Sequence, residues 1–330
     1  MNYQQLVDHS KDRSSVMLEI AEKVELKLER DGRNVRVVVS GDPDCPLTRL
    51  FVDRNFRDRP TTLQVDVFLR TRILQTGPKL FRPTEAQCLI GRETDLNLTF
   101  EGYAQPYPFM ILELPDNYAE SKVIENPRAP LEWSGVDKLD PLTRRRKPGV
   151  VIVHYDPEVK IIVTCVNWED MVTNVYYHVF DSPEDDMSKF IEEGNNETER
   201  EIRRVALNYC LLVDEYGAKR VGYDNESHAN RLARRAAKGR SDMNAKLLKV
   251  LPVVYEIDQS VKLVKTVARA SDLGEPSGRC VHPHHRRGHY RMQAHGAGRA
   301  QRKRIRIPPV FVNSHLFLGK IGQTEVTYTV

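Results

Sequence analysis

The chain of 330 residues lacks any apolar run approaching eighteen residues, so no membrane-spanning helix and no membrane partner are predicted. Its first residues show neither an apolar segment nor a small-residue cleavage pattern, and the expected location is therefore the cytoplasm. The P-loop, the dinucleotide-binding fingerprint, the HExxH motif and the nucleophile elbow are also missing. The sequence therefore indicates none of the enzyme classes that these motifs mark, and we predict no cofactor.

A disulfide framework and a metal site are both disfavoured. The five cysteines are an odd number, they are widely spaced, and none belongs to a CxxC pair, which is typical of reduced thiols in a core. One segment offers metal-binding side chains at short spacing: Cys280, His282, His284, His285 and His289. That spacing matches no standard zinc finger, and the neighbouring arginines disfavour a cation, so we predict no metal.

Acidic residues are absent from one long segment. Residues 276–324 contain ten Lys/Arg, six of the ten histidines and no Asp or Glu. Because the whole chain has a formal net charge of +4, the remaining residues carry a net charge of −6. A basic cluster on an otherwise acidic protein concentrates positive potential where it lies, which favours a polyanionic partner.

We predict an α+β fold with a mixed or antiparallel β core, packed helices and a C-terminal basic β-hairpin. Residues 1–125 are assigned to an N-terminal α+β region and residues 150–330 to a β-rich and helical region that ends in a basic His/Arg module at 278–314. Residues 126–149 show little periodicity and are assigned to a loop or linker.

Local patterns predict the individual elements. Apolar spacing predicts an amphipathic helix over 15–30, and a capping box of Thr84 and Gln87 predicts a short helix. A helix is also predicted from Thr198 to Gly217. Pro252 suggests that the last strand of the middle region is an edge strand. The predicted strands are 34–40, 63–69, 109–114, 150–154, 159–167, 175–180 and 251–257. Of these, 150–154 and 159–167 are predicted to form a hairpin across the turn at 156–158.

The basic hairpin is predicted within residues 278–314. Strand alternation gives one face of its first strand to Arg287, His289, Arg291 and Gln293. The opposite face receives Arg286, Gly288, Tyr290 and Met292. Gly296 and Gly298 supply the flexible turn, and Gly288 is also predicted to be a structural turn residue. In the second strand, one face carries Arg302, Arg304 and Arg306 and is predicted to point outward. The other face carries Ile305 and Ile307 and is predicted to point toward the core.

Arginines that face each other across such a hairpin repel unless an anion lies between them, so phosphate is the predicted ligand. Guanidinium groups bind phosphate bidentately, and the tyrosine and histidine rings offer stacking surfaces for unpaired bases. RNA or the ribosome is thus the predicted partner; the alternatives are an exposed basic hairpin and a site for an acidic protein. The predicted nucleic-acid-binding residues are His285, Arg286, Arg287, His289, Tyr290, Arg291, Arg299, Arg302, Arg304 and Arg306.

His289, between Arg287 and Arg291, is also a candidate catalytic residue. Metal-free RNA cleavage needs histidines that transfer protons and a cation that stabilises the pentacoordinate phosphate. A second acid or base is required, and His284, His285 and His295 are near in sequence. Structural hydrogen bonds are the alternative role for these histidines. Whether the chain is an enzyme stays open.

A second basic segment, residues 226–238, is predicted to form a helix that ends at Gly239. Four of its cations fall largely on one side: Arg231, Arg234, Arg235 and Lys238. This side either extends a nucleic-acid-binding surface or is a solvated helix face.

The motif His285-Arg286-Arg287-Gly288-His289-Tyr290, followed by Gly296-x-Gly298 and by PVFVNS at 309–314, resembles the C-terminal end of a type V-A anti-CRISPR family of phages and other mobile elements. Tyr290 stands where the family motif carries tryptophan. Upstream, the order of elements is similar: a short helix near Thr84, the segment LPD at 114–116, a central hydrophobic helix and PVVYEI at 252–257.

The resemblance implies a regulator that lowers production of the type V-A effector during translation, in a process that involves the effector's emerging N-terminal peptide. It implies a chain that combines a peptide-recognising body with an RNA- or ribosome-facing tail and that lowers the amount of effector mRNA. Two alternatives remain, a metal-free endoribonuclease and a protein-only inhibitor or structural phage protein.

Overall fold

The computed structural model describes residues 22–31, 34–41, 62–115, 148–168, 173–194, 197–238, 242–257 and 284–312. The predicted linker 126–149 lies almost wholly outside these residues, as do Cys45, Cys280 and His282. No helix in the described ranges is long and apolar enough to cross a membrane.

The described elements confirm the predicted α+β class. The strands are β1 (Val24–Asp31), β2 (Asn34–Gly41), β3 (Lys79–Phe81), β4 (Thr94–Asp95), β5 (Phe109–Glu113), β6 (Pro148–Asp156), β7 (Ile161–Trp168), β8 (Thr173–Val179), β9 (Ala218–Tyr223), β10 (Val253–Ile257), β11 (His284–Arg286), β12 (Gly288–His295), β13 (Gln301–Ile307) and β14 (Val310–Val312). The helices are α1 (Thr62–Thr76), α2 (Glu85–Arg92), α3 (Ser188–Glu192), α4 (Glu197–Tyr216), α5 (Glu226–Ala237) and α6 (Asp242–Val250).

A seven-stranded mixed sheet, in the order β8-β7-β6-β5-β3-β10-β9, forms the centre of the fold. Strand β3 is parallel to both β5 and β10, and the other neighbours are antiparallel. Strand β5 shows why the sheet is central. Phe109 and Ile111 belong to one hydrophobic cluster and Met110 and Leu112 to another, so both faces of this apolar strand are covered.

One face of the sheet is covered by α1 and the antiparallel pair of β1 and β2. The predicted strand at 63–69 is wrong, because Val65, Phe68, Leu69 and Ile73 are buried at helical spacing and belong to α1. The helix ends at Gly77, whose N–H bonds the Ile73 carbonyl at 2.9 Å and whose φ of +81° favours glycine.

The predicted helix over 15–30 is also wrong from Val24 onward, because β1 is a strand; in the described part of this range only residues 22 and 23 are helical. Val24, Leu26 and Leu28 are buried in strict alternation with charged residues, and that period of two places every apolar side chain on one face. Pairing with β2 runs from Val24 opposite Gly41 to Asp31 opposite Asn34. Residues 15–21 lie outside the described part.

The other face of the sheet packs against α2, α3 and α4. Thr84 and Gln87 form the predicted capping box at the start of α2. Helix α4 buries Ile202, Val205 and Tyr209 against the sheet, as its apolar spacing predicts.

Two further predictions can be compared with the sheet. The predicted hairpin across residues 156–158 is confirmed by the pairing of β6 with β7. The edge position predicted from Pro252 is wrong, because β10 lies between β3 and β9. Pro252 precedes the strand and so removes no hydrogen bond from the sheet.

Cys88, Cys165 and Cys210 are buried free thiols, as predicted for reduced core cysteines. Burial raises the pKa of Cys88 and of Cys210 to about 12. These thiols therefore stay protonated and serve as apolar packing groups.

Candidate nucleic-acid interface

The basic hairpin, defined here as β12, the short 3-10 turn Ala297–Arg299 and β13, attaches to the body of the protein through β4. Gly288 and His289 pair in parallel with Thr94 and Asp95, and the Gly288 N–H bonds the Glu93 carbonyl at 2.8 Å. The Tyr290 N–H donates to Asn97 Oδ1 at 2.9 Å. The first residues of β12 are therefore fixed by backbone contacts to the segment after α2.

The turn matches the prediction for its two glycines. Gly296 has a φ of +78° and Gly298 a φ of +64°, conformations that other residues rarely adopt. Gly288 has a different role, because a Cβ there would lie 2.8 Å from Thr94 Oγ1 and 2.9 Å from Pro309 Cδ. It permits close approach to β4 and forms no turn.

The predicted facing of the arginines is wrong. His295 pairs with Gln301, Met292 with Arg304, and Tyr290 with Arg306. Even-numbered arginines of β13 therefore share a face with even-numbered residues of β12, while Arg291 lies opposite Ile305. The turn sets this register, and strand alternation within each strand alone cannot reveal it.

Arg287 is held in an intramolecular ion pair. Its Nε donates to Asp95 Oδ1 at 2.7 Å, and Nη2 donates to the Arg92 carbonyl at 2.7 Å. Glu93 lies 3.8 Å from its Nη1. The predicted phosphate ligand here is thus replaced by carboxylates of the protein itself.

Arg304 and Arg306 anchor β13 to the end of α4. Arg304 bonds the Asp214 carboxylate and donates to the Gly102 carbonyl at 3.0 Å. Arg306 donates to Glu215 at 3.4 Å and to the Tyr216 hydroxyl at 3.2 Å. Burial alone would lower the pKa of Arg306, but the bond to Tyr216 and the charge of Glu215 raise it.

Tyr290 is a core residue. Its side chain is 3% exposed and belongs to the cluster formed by α2, α4 and the sheet. Burial raises its pKa, and its hydroxyl has no hydrogen-bond partner among the described residues. The Tyr290 ring is therefore covered by the protein and presents no exposed face on which a base could stack.

The cations that remain accessible lie toward the turn of the hairpin. Arg291 and Lys303 share one face, diagonal to each other across the strands, and Arg302 lies on the other face. Arg299 lies in the turn with a φ of +57°. All four are exposed, and no ion pair joins them to a residue in the described ranges. We call Arg291, Arg299, Arg302 and Lys303 the tip cations.

Lys303 is not among the residues predicted from the sequence, although it lies between Arg302 and Arg304 and carries the same charge. Arg286 is exposed in β11, at the other end of the segment. The side chain of His285 lies outside the described residues.

His289, the candidate catalytic residue, is half-buried beside the attachment to β4. Within the described part of the chain, no acid or base is hydrogen-bonded to its ring, and no group of three His, Cys, Asp or Glu is placed to hold a metal ion.

A groove of about 590 Å³, which the sequence did not reveal, lies at the β8 edge of the sheet. Among the described strands β8 pairs only with β7. The groove extends to both faces of the strand. Val175, Tyr177 and Val179 face the side of β2, while Tyr176 and His178 face α3 and α4.

Arg203 of α4 lines this groove although it is only 3% exposed. Its guanidinium lies 4.1 Å from the ring centre of Tyr176, and Nη1 donates to the Phe190 carbonyl at 2.6 Å. Its Nε has no partner in the described part of the molecule. Near it, His178 Nδ1 and Glu193 Oε2 are 2.8 Å apart. A strand edge that has no partner among the described strands is suited to an extended polypeptide.

Comparison with known protein families identifies the family of this chain. The model of the AcrVA2-like family, described as the anti-CRISPR type V subtype A2 family, matches residues 77–314. This span is well over half of the chain and runs from before β3 to beyond β14. The chain belongs to this anti-CRISPR family. Among solved structures it is similar to the crystal structure of AcrVA2, at 14% identity and a TM-score of 0.36, over 76% of this chain and 77% of that one. A search of curated proteins finds no significant match.

Membership in the anti-CRISPR family confirms the type V-A resemblance stated from the C-terminal motif, and with it an anti-CRISPR function associated with phages. The matched span includes the basic hairpin, helix α5 and the residues that line the groove at β8, with the exception of Val35. Strands β1 and β2 precede it.

Proposed function

We propose that this anti-CRISPR protein lowers expression of a type V-A effector by binding RNA or the translating ribosome through the tip cations. The observation that carries the proposal is the contrast within one hairpin. Arg287, Arg304 and Arg306 are neutralised by carboxylates of the body, whereas the tip cations have no such partners in the described part of the protein.

This contrast fits a phosphate ligand. The anchored arginines fix the position of the hairpin, and the tip cations extend its basic end toward solvent. Cations that bind phosphates displace condensed counterions, so the affinity falls steeply as salt rises. A paired arginine contributes little to that effect, because its counter-charge is already in place.

The groove at β8 supports a role for the effector's nascent peptide in the same proposal. An extended peptide added beside β8 would satisfy backbone groups at the strand edge. Tyr176, Tyr177 and His178 would contact alternate side chains of the peptide on both faces.

RNA binding is tested with the triple variant Arg291→Gln/Arg302→Gln/Lys303→Gln. The matched control, Lys27→Gln/Arg36→Gln/Lys246→Gln, removes the same charge from cations that are already paired with carboxylates and lie outside the groove. We expect the plot of log affinity against log salt to become shallower by about 2 for the tip variant, at roughly 0.7 per lost contact to a single strand. Equal slopes for the two variants would contradict the proposal.

Expression is tested in cells with a reporter fused to the first codons of a type V-A effector. Synonymous recoding changes the RNA and keeps the peptide, whereas a compensated frameshift keeps most of the RNA and changes the peptide. We expect reporter mRNA to fall with the recoded message and to be spared by the frameshift. A message that falls equally in both cases excludes peptide recognition.

The groove is tested with Glu193→Gln/His178→Ser, which removes the pair beside Arg203, against Glu192→Gln, an exposed neighbour outside the groove. We expect only the first variant to weaken binding of a labelled N-terminal effector peptide. Identical affinities for the two variants would place the peptide elsewhere.

The ribonuclease alternative has less geometric support. General acid–base cleavage needs two groups within hydrogen-bond reach of the reacting phosphate, and the described residues provide no such partner for His289. RNA that stays intact with wild-type protein, at concentrations that saturate binding, would remove this alternative.

A further inference from the structure

We infer that α5 carries a second RNA-phosphate-binding surface, separate from the basic hairpin. The surface is one stripe of exposed residues along the helix, which we call the α5 stripe: Ser227, Asn230, Arg231, Arg234, Arg235 and Lys238.

The orientation of the stripe is fixed by local contacts. The Asn225 side chain accepts from the His228 N–H at 2.9 Å and caps the start of the helix. Ala229 and Leu232 are 2% and 3% exposed, so they hold one side of α5 against the protein. The α5 stripe is therefore directed to solvent along its full length.

The cations of the α5 stripe lack counter-charges among the described residues, unlike the ion-paired arginines elsewhere in the protein. Arg82, for example, bonds both Glu113 and Asp224. The only acid of α5 is Glu226, at its first position, where it accepts from the Tyr223 N–H at 3.3 Å. Arg234, Arg235 and Lys238 have no ion pair with any residue in the described ranges. Like charges one turn apart repel, so this helix retains an unfavourable arrangement that a bound polyanion would relieve.

The spacing fits a chain of phosphates. With a rise of about 1.5 Å per residue, Arg231 and Lys238 are separated by roughly 10 Å along the axis, with Arg234 and Arg235 between them. The α5 stripe borders a depression of about 550 Å³. Ser227 and Asn230 add neutral donors for phosphate or ribose oxygens at its other end.

The helix dipole gives a simpler explanation for part of this pattern. Cations in a last turn are favoured by the partial negative charge at the helix C-terminus, which accounts for Arg234 and Arg235. It does not account for Arg231, which lies a turn earlier and bonds His228 within the helix at 2.7 Å. Nor does it explain why neutral hydrogen-bonding residues continue the α5 stripe toward the N-terminus.

The inference rests on the proposed RNA binding but concerns different residues, so the two can fail separately. The test measures binding of a fluorescein-labelled, single-stranded RNA of about 20 nucleotides to the full chain, between about 50 and 300 mM KCl. The α5 variant is Arg234→Gln/Arg235→Gln/Lys238→Gln. The tip variant and the paired-cation control of the previous section are measured beside it. Glutamine keeps helix propensity, and the melting temperature of each variant verifies folding.

We expect the α5 variant to bind RNA roughly tenfold more weakly than wild type near 100 mM KCl and to show a salt slope shallower by about 2. Arg234→Lys/Arg235→Lys, which keeps the charge, should keep the wild-type slope. An α5 variant that behaves like the paired-cation control, or a charge-keeping variant that loses the slope, would overturn the inference.

A second arm separates RNA from an acidic protein as the partner. Polyglutamate at equal charge concentration should displace little RNA from the tip variant, in which the α5 stripe is intact. Full displacement would overturn the inference in favour of an acidic protein. If only the α5 variant shows a shallower dependence of RNA affinity on salt, the α5 surface binds RNA and the proposed function of the hairpin fails. If only the tip variant shows it, the hairpin binds RNA and the inference about α5 is overturned.

Discussion

Replacing Asn208 should destabilise the point where the basic hairpin attaches. This residue of α4 is 1% exposed, and its Nδ2 donates to the Gly91 carbonyl at 2.8 Å and to the Thr94 carbonyl at 2.9 Å. Thr94 begins β4, which pairs with Gly288 of β12. Asn208→Ala removes the donor from both carbonyls while burial keeps water away.

The magnitude follows from these two bonds. Leaving a buried carbonyl without its donor costs about 1–3 kcal/mol, so two of them cost about 2–6 kcal/mol. Asn208 Oδ1 has no hydrogen-bond partner among the described residues, and its removal returns part of that cost. We therefore expect the free energy of unfolding to fall by about 3 kcal/mol.

Urea denaturation followed by circular dichroism measures this change. With an m-value of about 3 kcal/mol/M, the midpoint should fall by roughly 1 M. Asn230→Ala, which changes an exposed asparagine of α5, is the matched control and should stay within about 0.5 kcal/mol of wild type. A loss below about 1 kcal/mol for Asn208→Ala would refute the reasoning about the two carbonyls.

Three further predictions concern other buried groups of the protein. Gly288→Ala places a Cβ 2.8 Å from Thr94 Oγ1 and should cost about 2 kcal/mol in thermal or urea unfolding; an unchanged melting temperature would contradict this contact. Tyr290→Phe should leave stability unchanged or slightly higher, because the buried hydroxyl has no partner in the described part, whereas Tyr290→Ala should cost about 3–5 kcal/mol. Burial lowers the pKa of His154 from 6.5 to about 4, so the native state favours the neutral ring; its stabilising contribution, about 3 kcal/mol, is complete above pH 6.5 and lost as pH falls through 4. As the pH is lowered from 6.5 to 4, the urea midpoint should fall more for the wild type than for His154→Phe. Midpoints that fall equally in the two proteins would refute the lowered pKa of His154.

Sequence patterns predicted the elements whose signal is local. The period of α4 and the capping box of α2 depend on neighbours within one or two turns, and both predictions are confirmed. The sequence predicts a strand where α1 forms, because residues 63–69 taken alone fit a strand by their β-branched content. Extending the same window to Ile73 exposes the helical spacing of its buried residues.

The roles of the hairpin arginines could not be predicted, because their partners are distant in sequence. Arg287 bonds the Arg92 carbonyl 195 residues earlier, and Arg306 bonds the Tyr216 hydroxyl 90 residues earlier. Composition reveals the excess of positive charge in this segment, but only the fold shows which charges are already neutralised. The same limit applies to Tyr290, whose strand position was predicted and whose burial depends on α4.

The division between anchored and exposed cations decides which experiments are informative. Asp214 and Glu215 are adjacent carboxylates in the last turn of α4, where the helix dipole disfavours negative charge. Arg304 and Arg306 neutralise these carboxylates and at the same time hold β13 to the helix. Removing either arginine would disturb α4 and undock the hairpin, so a loss of RNA binding in such a variant would not identify a phosphate contact. Among the hairpin cations named above, the tip cations can be changed without altering these anchors. Variants of the tip cations therefore test whether the hairpin binds RNA.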